Sequence, residues 1–203
     1  MKNKCHLTVV DFQHDFVSPN GALTFDNGKG DKALIQRVKD FFKQLPTGYF
    51  AHATVTFDTH DEKTYSQTEE GKCFPLHCVE GTYGWQLAVP SDLITSKIDD
   101  VQFLRKNTYD MWAASIDSVK AYMVDTAKEV VLLGVASDIC NKAALQGWLE
   151  RGAIITVLDD LTRGIYKQTY EVVREEPFRT AIQRGHLKVM TSRQFLDRIH
   201  QRG

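Results

Sequence analysis

Six short apolar runs rich in β-branched residues punctuate this chain: HLTVV at 6–10, YFAHATVTF at 49–57, VQFL at 101–104, EVVLLG at 129–134, AIITVL at 153–158 and LKVM at 187–190. Between most of them lie segments with apolar residues at helical spacing: KALIQRVKDFFKQL (32–45), ASIDSVKAYMVDTA (114–127), CNKAALQGWLE (140–150) and YEVVREEPFRTAI (170–182). Strands that alternate with helices imply βαβ units and a parallel sheet. Near-continuous apolar strands fit that arrangement, because helices cover both faces and neither meets water.

The expected fold is therefore α/β: a three-layer αβα sandwich around a six-stranded, mostly parallel, Rossmann-like sheet. A length of 203 residues predicts one domain over 1–203. Only 58–100 breaks the alternation, as a polar loop insertion carrying Asp58, His60, His77 and two cysteines. A loop that long inside a compact domain is usually functional.

Open α/β sheets place ligands outside the carboxyl ends of their strands. Three chemically capable residues sit just past such ends: Asp11 after LTVV, Lys106 after VQFLR, and Cys140 after EVVLLGVASDI. In a parallel sheet all three ends point the same way and can converge on one rim. A thiol is a weak nucleophile until ionised, and a helix N-terminus with a nearby cation is expected to lower its pKa. A neighbouring carboxylate can accept its proton and return it to a leaving group. Each residue alone also has a plain structural reading: a turn aspartate, a solvated lysine, a small buried cysteine. The second cluster lies in the loop. Residues two apart in extended chain face the same side, so Asp58 and His60 can grip one ion, with His77 closing from the loop and Glu70 as a fourth ligand. Two imidazoles with carboxylates suit zinc, manganese or iron. From spacing alone, an Asp-x-His in a polar loop is more often simply solvated.

Other classes are disfavoured. The net charge of −1 leaves no basic excess for nucleic acid. No apolar run approaches the roughly 20 residues that cross a bilayer, and the short run before Asp11 is no signal peptide. Cys5, Cys73, Cys78 and Cys140 form no C-x-x-C pair or disulfide framework, which points to reduced thiols in a cytoplasm. After the first strand comes DFQHDFVSPNGAL, with no phosphate-cradling G-x-G-x-x-G.

The blocks VVDFQHDFVSPNGAL (9–23), TFDTH (56–60), FPLHCVEGTYGWQL (74–87), RKNTYDMW (105–112) and LLGVASDICNKAAL (132–145) follow one another as in a known family. In that order they resemble the isochorismatase-like cysteine hydrolases, and within them the nicotinamidases. The resemblance implies Asp11 as proton acceptor, Lys106 as supporting cation and Cys140 as nucleophile. It also implies a cis peptide at Val135–Ala136, with the Ala136 and Cys140 amides facing the substrate oxygen. It makes Asp58, His60 and His77 ligands of a divalent metal ion, zinc ahead of manganese or iron, and sets Phe16 and Phe74 around a pyridine ring. Where many nicotinamidases carry a further histidine, this chain has Ser66; a subgroup places a Glu where Glu70 stands. The expected function is metal-dependent amide hydrolysis, nicotinamide to nicotinate and ammonia through a thioester, as in NAD salvage. The alternative is a related hydrolase acting on another small amide or a carbamoyl compound. The expected partner is a small-molecule amide, with no nucleic acid or membrane; a homo-oligomer is left open.

Overall fold

The computed structural model describes residues 5–201. Its strands are β1 (Cys5–Val10), β2 (His52–Asp58), β3 (Asp100–Lys106), β4 (Glu129–Val135), β5 (Ile154–Arg163) and β6 (Leu187–Met190). All pairings are parallel, in the order β3-β2-β1-β4-β5-β6. The chain builds outward from β1 to β3, then returns to the other side of β1 with β4. Beyond the carboxyl ends of β1 and β4 this reversal opens a crevice, the usual ligand position in such sheets.

The helical segments are α1 (His14–Val17), α2 (Lys32–Gln44), α3 (Asp92–Thr95), α4 (Met111–Ala114), α5 (Asp117–Thr126), α6 (Cys140–Glu150), α7 (Thr169–Val172), α8 (Phe178–Gln183) and α9 (Ser192–His200). Alternation along the central strands assigns them to two layers. Leu7 and Val9 of β1 with Val131, Leu133 and Val135 of β4 join one buried cluster with α2, α3 and α9. Val10, Val130 and Leu132 turn the other way, into a cluster with α4, α6 and α8. Both faces of the sheet are thus covered, as the apolar strands require. None of the described helices is long and apolar enough to cross a membrane.

Two local expectations needed correction. The helical pattern over 170–182 is split into α7 and α8 at Pro177, which has no N–H to donate and follows a cis peptide from Glu176. The pattern over 114–127 forms one helix, α5, which starts only at Asp117 because Ser115 and Ile116 are extended; Ala114 ends the short α4 before it. At the end of β4, Gly134 has φ +118°, and a Cβ there would lie 2.1 Å from the Val10 carbonyl oxygen. Only glycine lets β4 approach β1 so closely where the crevice opens.

Candidate active site and metal centre

Each residue at the crevice is delivered by a strand end. Asp11 leaves β1 with φ +45°, a left-handed conformation that aspartate tolerates better than most residues. Its carboxylate accepts a 2.6 Å hydrogen bond from the Thr56 hydroxyl, and its own N–H donates to the same oxygen at 3.1 Å. Lys106 closes β3, and its side chain is wholly buried. Its ammonium lies 2.7 Å from Asp11 Oδ2, 3.3 Å from Asp58 Oδ1 and 3.5 Å from Cys140 Sγ. Cys140 opens α6, so its amide is one of the helix's first N–H groups, which have no partner within the helix. The Val135–Ala136 peptide is cis, where the resemblance placed it.

A lysine buried without anions would lose its proton. Here burial pulls the Lys106 pKa down, but Asp11, Asp58 and Cys140 together raise it well above the usual lysine value. Burial raises the Asp11 carboxyl above the ordinary carboxylate range even though Lys106 opposes it. Burial also raises the Cys140 thiol, with Asp11 and Asp58 adding to the rise and Lys106 opposing it. The lowered thiol pKa expected from the helix N-terminus and the cation is not met, because burial outweighs Lys106; the thiol sits beside a carboxylate with raised affinity for a proton and a fixed cation.

The loop insertion folds back over this rim. Asp58, His60, Glu70 and His77 are all buried, with one potential ligand atom from each within 4.8 Å of the others. Nε2 of His60 and of His77 lie 2.9 and 3.0 Å from Asp58 Oδ2, and 3.6 and 3.5 Å from the Glu70 carboxylate. Ligands about 2.1 Å from a tetrahedral ion stand roughly 3.4 Å apart, so the cluster has the dimensions of such a site. The Glu70 Oε2 atom is buried with no hydrogen-bond partner, a cost that a cation would remove. His77 Nδ1 faces the Pro75 carbonyl at 2.8 Å and the Tyr65 hydroxyl at 3.2 Å, which leaves Nε2 for the cluster. Burial works against protonation of His77, yet its hydrogen bonds to Asp58 and Glu70 raise its pKa to about 10. On Asp58, burial is outweighed by Lys106 and the two histidines, which hold the carboxyl well below its usual range. Two buried carboxylates thus demand positive charge at one point. The donor set fits a divalent ion.

Phe16, Phe74, Cys140 and Ala136 line one narrow pocket with Glu70 and Tyr109. Phe16 meets the His77 ring edge-on at 5.3 Å, so the aromatic wall and the four-residue cluster share a boundary. The structure therefore brings together every residue singled out from the sequence. It adds two that sequence reasoning passed over. Tyr109 is half-buried in the pocket, and its hydroxyl is pushed up to about 12 by burial and then by Glu70. Gln13 is fully buried; its amide accepts from the Asp58 N–H and donates to the Asp58 carbonyl, both at 2.8 Å. A glutamine two residues after a strand-end aspartate was the available signal for Gln13. His6 and His52, inside strands, bond Thr54 and Asp100 respectively and stay outside the site.

A family model described as the isochorismatase domain matches residues 5–183. The chain belongs to the isochorismatase family. Within it the chain is nicotinamidase-like. It is 32% identical to the nicotinamidase of Saccharomyces cerevisiae, over 78% of this chain and 88% of that protein. It is 28% identical to the nicotinamidase/pyrazinamidase of Mycobacterium tuberculosis, over 86% of this chain and 94% of that one. The crystal structure of the pyrazinamidase of Pyrococcus horikoshii in complex with zinc superposes with a TM-score of 0.70 at 25% identity, covering 93% and 99% of the two chains. The isochorismatase sandwich accounts for the sheet order. The specific chemistry has to come from the site itself.

Proposed function

We propose that this isochorismatase-family chain is a single-domain, metal-dependent cysteine amidohydrolase that converts nicotinamide to nicotinate and ammonia. The observation that carries the proposal is the Lys106 ammonium, which touches Asp11, Cys140 and the metal-cluster residue Asp58 at once. The relatives named nicotinamidase supply the substrate.

In the first step the Cys140 thiol passes its proton to Asp11 while sulfur attacks the carboxamide carbon. Lys106 stabilises the negative charge on sulfur as it develops. The carbonyl oxygen becomes an oxyanion facing the Cys140 and Ala136 amides. The C–N bond then breaks, and Asp11 returns the proton to nitrogen, which leaves as ammonia. Asp11 next takes a proton from water, whose oxygen attacks the thioester; nicotinate leaves and the thiol is restored. Asp58, His60, Glu70 and His77 would hold a divalent ion, zinc first, which when bound supplies a Lewis acid to the ring nitrogen. Phe16 and Phe74 flank the ring and exclude water.

Four free cysteines fit a reducing cytoplasm and a place in pyridine-nucleotide salvage. The test is ammonia release from nicotinamide with zinc supplied, by wild type and by Cys140→Ala. Release by the wild type alone is expected. Absence of release from the wild type, or equal release by the variant, ends the proposal.

A further inference from the structure

Asp138 lies two residues before Cys140. Its half-buried carboxylate is the hub of a second loop. Oδ1 accepts from the Ile165 N–H at 3.0 Å, and Oδ2 accepts from the Tyr166 N–H at 2.7 Å and the Lys167 N–H at 2.9 Å. Three successive backbone donors thus wrap one anion. The wrapping is tight: a Cβ on Gly164 would lie 1.9 Å from the Lys167 carbonyl oxygen and 3.1 Å from Asp138 Oδ1. The first residue of this loop, Ile165, turns its side chain into the pocket that Cys140, Ile139 and Phe16 also line. The far end of the loop is tied to the nucleophile helix as well, because Lys167 and Lys142 share Glu175 at 2.5 and 2.6 Å.

We infer that Asp138 is a positioning residue that sets the gap between the Ile165 wall and the Cys140 sulfur, and so the fit of the substrate ring. This rests on the amidase reading given above. Without the carboxylate, three backbone donors in one short loop lose their common acceptor. A loop released in this way moves Ile165 away from the ring. Binding suffers first, since no group that transfers a proton or takes up charge has been removed. The signature is a rise in KM with kcat nearly intact, and it acts through Ile165.

The experiment compares wild type, Asp138→Asn, Ile165→Ala and the double variant, with kcat and KM for nicotinamide and backbone hydrogen exchange over 164–168. Asp138→Asn is expected to raise KM about tenfold, in line with loss of charge-assisted hydrogen bonds, and to leave kcat within about threefold. Exchange at residues 165–167 should accelerate, and the double variant should be no worse than the poorer single one. An unchanged KM, or penalties that multiply in the double variant, overturns the inference. Unchanged exchange overturns it too, whatever amide the enzyme hydrolyses, whereas a wild type inert towards nicotinamide counts against the amidase reading alone. If Asp138→Asn does not fold, Asp138→Ser, which keeps one acceptor oxygen, carries the same expectations and the same refutations.

Discussion

Replacing Lys106 by methionine keeps much of the side chain's length and removes its charge together with its N–H donors. In the wild type that charge sits 2.7 Å from Asp11, 3.3 Å from Asp58 and 3.5 Å from Cys140. With an effective dielectric of about 20, each of the two carboxylate contacts is worth about 5–6 kcal/mol before desolvation is counted. Net values are smaller: removing one partner of a buried pair costs about 3–5 kcal/mol, because the remaining charge is stranded. Two consequences follow. Asp11 and Asp58 face each other without compensation, so the folded state loses roughly that amount unless one carboxyl takes up a proton. The thiolate formed during attack also loses its cation, and a barrier raised by about 3–5 kcal/mol slows kcat by roughly two to four powers of ten. Steady-state ammonia release with zinc supplied reads the second effect, and urea unfolding at neutral pH reads the first. A Lys106→Met enzyme within tenfold of wild-type kcat would refute the claim that this cation supports the nucleophile. Undiminished stability would refute the claim that it is the charge joining the two clusters.

Other consequences can be checked separately. Gln13→Leu strips the Asp58 backbone of both partners, so zinc affinity measured by chelator competition should fall about 10–100-fold, and unchanged affinity would remove Gln13 from the metal centre. His6 is held neutral at a pKa of about 3, by burial first and then by repulsion from His52. The unfolded chain binds a proton below about pH 6.5 that the folded chain refuses until about pH 3, so stability is complete above 6.5 and declines as pH falls. At pH 5 the loss from this group is about 2 kcal/mol, and a His6→Gln variant should show a flatter pH dependence by one proton between pH 6.5 and 4; parallel curves would contradict it. A Cβ on Gly147 would lie 2.1 Å from two atoms of the Trp112 ring, itself fixed edge-on against Trp148 at 4.7 Å. Gly147→Ala should therefore cost about 1–3 kcal/mol and lower Tm by several degrees, and an unaltered Tm would show that the ring can shift.

What the sequence discloses depends on whether a role is written in residue type and spacing. The strands were legible because both faces of a parallel sheet are buried, which forces runs such as EVVLLG. Asp11, Lys106 and Cys140 were legible as candidates because each follows such a run; their mutual contact depends on the strand order, which spacing does not give. The candidate metal cluster was legible as a set of residue types, but only Asp58 and His60 share a strand end; Glu70 and His77 meet them because the loop folds back, a geometry that spacing does not give. Gln13 and Asp138 were missed for one reason. Each works by hydrogen bonds to distant backbone groups, which residue type and spacing do not reveal until the chain is folded. The helix expected over 170–182 failed because its apolar spacing continues through Pro177, where the backbone cannot. Helix α9 was not anticipated, although Thr191 and Gln194 form a capping box that reads T-x-x-Q in the sequence.

The central claim is that Cys140 forms a covalent acyl bond with the substrate. Rapid acid quenching of zinc-loaded enzyme turning over nicotinamide, followed by intact and peptide mass spectrometry, tests it most directly. The expected result is a mass increase of one nicotinoyl group on the peptide bearing Cys140, absent in Cys140→Ala and discharged by hydroxylamine. Turnover with no such adduct, while Cys140→Ala stays active, would contradict it.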